Sequence, residues 1–314
     1  MDGLVGYSGF VGGNPLRQHT FGGQYNRANI ATLHGQTFDR LVVSAAPATM
    51  WLANNDPQAD RQNILDLCEN LAEASAETVI LISTIAVLAD ASTPDDERSA
   101  AYETELAYGR HRRELETRLQ DMFARTLILR LPALFGADLK KNFLFDMMNP
   151  VPSFLKPDVF QHLANIAGEA GADLVNAVFE WDADAGMYRF RRDTYAAGPD
   201  ADAIKALCTK ADISALAFTN AQSQFQFYNL ANLWADIEKA LSVDIEILNL
   251  ATEPMLAGDI HREIFGTEMP YETAPRVTQD MRSQHAHHWG GADGYLAGRD
   301  GILTGIRDLM GDRT

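Results

Sequence analysis

Cations, cysteines and long apolar runs are what this sequence has least of. Lys and Arg together number 26 against 43 Asp and Glu, a formal net charge of −17 in 314 residues. A field of that sign repels nucleic-acid phosphates and anionic lipid, so neither is an expected partner. An anionic ligand would then need local cationic groups. The two cysteines, Cys68 and Cys208, supply neither a disulfide framework nor a Cys-x-x-Cys metal spacing. No apolar stretch reaches spanning length, and the N-terminus has no basic segment leading into an apolar one. A cytoplasmic protein is expected. The remaining composition, 46% hydrophobic and 22% charged, is that of an ordinary globular chain with enough length for one large domain or two sharing an interface.

What is present is a rhythm. Asp2–Val5 reads as a short buried strand, followed by a glycine turn over Gly6–Gly13. A helix is expected from Asn14 to His19, with Pro15 in its first turn. A short second strand is expected near Gln24–Asn26, then a clear strand "RLVVSAAP" from Arg40 to Pro47. "PQADRQNILDLCENLAEAS" carries apolar residues at helical spacing, and the β-branched run Thr78–Leu88 predicts a strand covered on both faces. "ELAYGRHRRELETRLQDMF" predicts a long helix, and "TLILRLPALFG" another buried strand. Strands alternating with helices of this length imply an α/β fold with a doubly wound parallel sheet. After Gly136 the rhythm breaks. "VFEWDADAGMYRFRRD" predicts a hairpin whose tip is Asp184, Ala185 and Gly186, "FQFYNLANLWADIEKAL" a strand entry and a helix, and "DIEILNLA" a further strand. A smaller C-terminal domain, interleaved with the first, is therefore expected. The expected boundaries are 1–138 with about 225–242 for the first part, and about 139–224 with 243–314 for the second.

Gly6, Gly9 and Gly12 stand three apart directly behind the first strand. In that context the first permits a tight turn, the second lets a pyrophosphate approach the backbone, and the third lets the helix sit close to the sheet. Phosphates would meet unpaired N–H groups at the helix start. An acidic residue is expected some 20 residues on to hold the ribose hydroxyls, but Asn26 and Arg27 occur there and no acid until Asp39. Arg27 either accommodates a 2′-phosphate, which favours NADP over NAD, or is a solvated side chain beside a loop.

Ser83 and Thr84 are polar residues within a buried strand, and each must find a partner. Downstream, Tyr108 and Arg112 are four apart and so share one helix face. A fixed cation next to a tyrosine favours its phenolate, so a Tyr108 pKa lowered towards neutrality is expected. Such a tyrosine can exchange a hydroxyl proton while hydride moves to or from a nicotinamide, with Thr84 holding the substrate oxygen. Lys140 and Lys141 either neutralise an acidic substrate or form a solvated face. His285, His287 and His288 lack an acidic or cysteine partner nearby, so no metal site is expected.

Taken in order, Gly6-x-x-Gly9-x-x-Gly12, "SAAP", "ISTIAV", Tyr108-Gly-Arg-His-Arg112, "LRLPALFG", "LKKN", "FYNLANLWADIEKAL" and "ILNLA" resemble the extended short-chain dehydrogenase/reductase family, the NAD(P)-dependent sugar epimerase and dehydratase group. The likeness spans Asp2 to about Glu253. It implies a Rossmann domain, a smaller substrate domain, a homodimer, and a Ser/Thr–Tyr–Lys catalytic set. By position Thr84 matches the hydroxyl and Tyr108 the tyrosine; Arg112 stands where the family has lysine. The implied cofactor contacts are Gly6, Ser8, Gly9, Phe10, Gly12, Asn26, Arg27, Ala45, Ala46, Tyr108, Arg112 and Pro132. "STIAVL" lacks the acidic pair of the sugar dehydratases, which disfavours that chemistry. The implied activity is an NAD(P)-dependent oxidoreductase or epimerase on a hydroxyl or carbonyl of a sugar-like, nucleotide-linked small molecule. The alternative is a non-catalytic NAD(P)-binding sensor or interaction module, which Arg112 in place of lysine would suit. A hydrolase on a similar sheet lacks the Gly-x-Ser-x-Gly elbow.

Overall fold

The computed structural model describes residues 1–311. The chain divides into two compact units, the first formed by residues 1–139, 224–255 and 277–311, the second by 140–223 and 256–276.

The first unit is built on six parallel strands. These are β1 (Asp2–Val5), β2 (Gly23–Tyr25), β3 (Thr37–Val43), β4 (Ser75–Thr84), β5 (Thr126–Leu131) and β12 (Ile247–Asn249), in the order β12-β5-β4-β3-β1-β2. The chain leaves β1 for β2 on one side and returns to β3 on the other. Ligands of such sheets bind beyond the strand carboxyl ends at that reversal. Each strand alternates between two cores, as a period of two requires. Leu4, Val42, Ile80 and Leu127 point to one face, where they pack with Leu233, Trp234 and Ile237 of helix α9 (Leu233–Ser242). Val5, Val43, Leu81 and Ile128 point to the other, against Ile64 and Leu71 of α3 (Pro57–Ala72) and Leu115 and Leu119 of α4 (Ala107–Met122). A shorter parallel pair joins β6 (Ala133–Phe135) to β11 (Phe227–Asn229).

Four elements depart from the sequence expectation. The helix after the glycine turn does not run from Asn14 to His19. It is a single α-turn, α1 (Phe10–Gly13), followed by a 3-10 turn at Pro15–Arg17. Pro15 has no N–H to continue the ladder, and the Asn14 side-chain amide donates to the Phe10 carbonyl at 2.8 Å. The strand expected to end at Leu88 ends at Thr84, whose hydroxyl accepts from the Ala86 N–H and starts a 3-10 turn over Ile85–Val87. A short helix, α2 (Met50–Asn55), follows β3 and was not expected. The stretch 243–314 does not belong wholly with the second unit: β12 is a strand of the main sheet, and α11 (Arg299–Gly311) is part of the first unit.

The second unit holds α5 (Phe143–Met148), β7 (Phe154–Leu155), α6 (Pro157–Val178), β8 (Phe179–Asp182), β9 (Met187–Phe190), α7 (Arg192–Tyr195), α8 (Pro199–Lys210) and α10 (Ala257–Phe265). Its sheet is antiparallel in the order β7-β9-β8, and the β8–β9 hairpin turns at Gly186 with φ +63°. Phe160, Leu163, Val178, Phe190 and Ile204 make its core.

Candidate active site

The glycine turn rises from the end of β1. Gly6 adopts φ +91°, and a Cβ there would lie 2.2 Å from the Ser44 carbonyl oxygen at the end of β3. Only glycine meets both demands. A Cβ on Gly12 would lie 2.2 Å from the Gly6 carbonyl, so the turn folds directly onto itself. At Gly9 the same atom would meet nothing nearer than that carbonyl at 3.4 Å, and Ser8 and Gly9 are exposed. The cradle is open where a pyrophosphate would approach. The one-turn α1 contributes far less dipole than a full helix would, so the donors on offer are chiefly the turn's own N–H groups.

Tyr7, inside the turn, is tied to the end of β2: the Asn26 side-chain NH2 donates to its hydroxyl at 3.1 Å, while Asn26 Oδ1 accepts from the Ala28 N–H. Arg27 is exposed, with no ion pair among the described residues. Ala45 and Ala46 are half-buried just past β3, and Phe10 packs on the first core. Pro132 is buried directly after β5.

Thr84 is the last residue of β4, not a mid-strand residue. Tyr108 is in the first turn of α4, where its N–H donates to Asn54 Oδ1 of α2 at 2.9 Å. The Tyr108 phenol interacts with the Thr84 hydroxyl, so the expected pair is brought together at a strand end. Gly109 makes that approach possible. A Cβ there would stand 2.0 Å from the Ala86 carbonyl oxygen, so α4 rests its backbone on the turn that follows Thr84.

Arg112 is 3% exposed, and its guanidinium carbon lies 4.0 Å from the centroid of the Tyr108 ring. Its hydrogen bonds go elsewhere. Nη1 and Nη2 bind the two carboxylate oxygens of Asp60 on α3, and Nη2 also donates to the Pro47 carbonyl. His111 Nδ1 lies 2.8 Å from the same carboxylate. The expected lowering of the Tyr108 pKa is not found. Burial pushes the phenol above its ordinary value, and the Asp60 carboxylate offsets the attraction of Arg112.

Sequence reasoning missed Asp60, although a signal was there. It heads the stripe Asp60, Ile64, Leu67, Cys68, Leu71, and an acid on a buried stripe needs a cationic partner. Glu116 and Arg130 form a second missed pair, both fully buried, with two guanidinium–carboxylate hydrogen bonds at 2.7 and 3.0 Å. Ser83 finds its partner there, donating to Glu116 Oε1 at 2.6 Å. In the second unit Lys140 and Lys141 are exposed, and Asn142 caps α5 with its side chain accepting from the Phe145 N–H at 3.1 Å. In the first unit the rings of His287 and His288 lie 4.1 Å apart.

No protein-family description and no curated protein matches the chain. Solved structures do. A UDP-glucuronic acid 4-epimerase variant from Bacillus cereus, in complex with a deoxyfluoro UDP-glucuronic acid and NAD, superposes with a TM-score of 0.61 at 12% identity over 100% of both chains. The UDP-glucose 4-epimerase of Thermotoga maritima with UDP-glucose gives 0.59 at 13%, over 99% of this chain and 100% of that one. RMD from Pseudomonas aeruginosa, complexed with NADPH, gives 0.59 at 14%, over 100% and 99%. At such identities the likeness shows the fold, and that fold is the one the motif order implied.

Proposed function

We propose that this chain, with the fold of the extended short-chain dehydrogenase/reductases as its frame, is an NAD(P)-dependent oxidoreductase or epimerase for a hydroxyl or carbonyl group of a sugar-like, nucleotide-linked substrate. The observation that carries the reading is the placing of Tyr108 against Thr84 at the carboxyl end of β4, in the same sheet edge as the open glycine cradle. The superposable proteins bound to NAD, NADPH or UDP-sugars support the class of ligand.

The residues present fit a dinucleotide. The Gly6–Gly12 turn leaves space over Gly9 for the pyrophosphate, and Asn26 and Arg27 take the adenosine ribose. With no acid at the end of β2 and a free-standing Arg27, NADP is the preferred form over NAD. When bound, the nicotinamide supplies the two-electron exchange with a substrate carbon. The chain's own part is proton handling: Tyr108 Oη gives or takes the hydroxyl proton, and Thr84 Oγ1 holds the substrate oxygen in line. The test is turnover of NADPH or NADP with a panel of sugar nucleotides bearing keto or hydroxyl groups. Tyr108→Phe is expected to lose about 10²-fold or more of kcat with nucleotide affinity kept.

A second reading, a non-catalytic NAD(P)-binding sensor, is favoured by one observation. Arg112 is engaged by Asp60 and Pro47, so the contact that the family lysine makes is not on offer. Nucleotide binding without turnover on any substrate class, unchanged by Tyr108→Phe, would select it. In either case the resemblance implies a homodimer, and sedimentation of the purified protein tests it.

A further inference from the structure

The cation opposite Tyr108 has a buried counter-charge. The Arg112 guanidinium carbon lies over the phenol ring, 4.0 Å from its centroid, yet both terminal nitrogens donate to Asp60, which is 5% exposed on α3. A lysine ammonium at this position would be a single mobile point charge. The arginine is a planar fork, and the bidentate carboxylate holds it in one place. Set against Tyr108 are Arg112 on its own helix, Asp60 on α3, Thr84 at the end of β4 and, at its backbone N–H, Asn54 on α2; His111 is turned to the Asp60 carboxylate. Glu103, in the loop before α4, is turned to the backbone N–H groups of Glu105 and Leu106. Asp60 is therefore the one carboxylate coupled to both Arg112 and Tyr108 within this group.

We propose that Asp60 is a positioning residue that withdraws the Arg112 charge from Tyr108 and so tunes this tyrosine as a proton donor. The proposal rests on the oxidoreductase reading for its purpose, and on geometry for its mechanism. A phenol that keeps its proton gives it to the oxygen of a carbonyl substrate as that oxygen becomes anionic. It is a poor base for removing a proton from an alcohol. Asp60 thereby favours a ketone or aldehyde as the group acted upon. It does so without touching substrate, through Arg112: α3 carries Asp60 and α4 carries Arg112.

The test needs no substrate. Tyr108 ionisation is read by ultraviolet difference titration of the protein without nucleotide, each variant against its own Tyr108→Phe counterpart. Asp60→Asn is expected to lower the Tyr108 midpoint by about one pH unit or more relative to the parent; a midpoint unchanged or raised overturns the proposal. Should Asp60→Asn fail to fold, Arg112→Lys is titrated instead, because an ammonium keeps the cation but loses the two-pronged hold of the Asp60 carboxylate. Its Tyr108 midpoint is then expected to fall below that of the parent, and a midpoint unchanged or raised overturns the proposal. NADPH binding by the parent is recorded alongside. Its loss would end the oxidoreductase reading and leave the Asp60–Tyr108 coupling standing, whereas intact binding with unshifted phenolate would end the coupling alone.

Discussion

Gly9 and Gly12 differ in what a single methyl group would do, and that difference separates folding from binding. At Gly12 the added carbon would lie 2.2 Å from the Gly6 carbonyl oxygen, so the turn must open. At Gly9 it meets only an ordinary contact at 3.4 Å and projects where a ligand would approach. Gly9→Ala is expected to melt within about 0.5 kcal/mol of the parent while weakening nucleotide binding at least about tenfold. Gly12→Ala is expected to lower the melting temperature as well. Calorimetry and nicotinamide fluorescence on the two variants read this directly, and equal behaviour would refute the assignment of their roles. The glycine spacing, Thr84 and Tyr108 were legible in the sequence because local spacing carries them. The direction of the Tyr108 shift was not. A helix-face pair predicts a lowered value, but the outcome depends on burial and on Asp60, 48 residues away on another helix.

Elements were legible where one periodicity ran long. β3, β4 and β5 announce themselves as β-branched or leucine-rich runs, and α3 and α4 as apolar stripes. α1 and α11 were not. Glycines cut both patterns, yet one glycine of α11 has a packing reason: a Cβ on Gly305 would stand 2.9 Å from the Asn229 side chain and 3.1 Å from the Phe135 ring. α5 carries a pH response of its own. Burial raises the Asp146 carboxyl to about 7, against a smaller opposing pull from Arg192. A carboxyl with a raised folded-state pKa stabilises the fold fully below its unfolded value near 3.8, and that contribution is lost as pH rises through about 7. Asp146→Asn is expected to remove this slope and to be more stable than the parent at pH 8 by about 1 kcal/mol or more. Chemical denaturation from pH 5 to pH 8 (arbitrary steps of about one unit) checks it; parallel curves for the two proteins would contradict it.

For the whole molecule, strand–helix alternation foretold the parallel α/β sheet. The division into units was read less well after Ser242. β12 joins the sheet through pairing with β5, a long-range contact that no local pattern reveals. Acid stability is also a whole-chain property with a local source. Glu114 bridges Arg61 on α3 and Arg118 on its own helix, which lower its pKa to about 2, Arg61 most strongly. A depressed carboxylate stabilises the fold above its unfolded value near 4.5, and the contribution disappears as pH falls through about 2. Because Arg61 is solvent-exposed and Glu114 only half-buried, Glu114→Gln is expected to cost at most about 1 kcal/mol at pH 7 and progressively less as pH falls towards about 2. The central claim concerns the sheet edge that gathers the glycine turn, Thr84 and Tyr108. Its most direct test is titration of the purified protein with NADPH and NADH, followed by nicotinamide fluorescence and thermal melting. Saturable binding is expected, tighter for NADPH, with about 2.7 kcal/mol of added stability at a hundredfold excess over Kd. No binding of either nucleotide, and no shift in melting, would contradict the account and leave the three glycines as a turn.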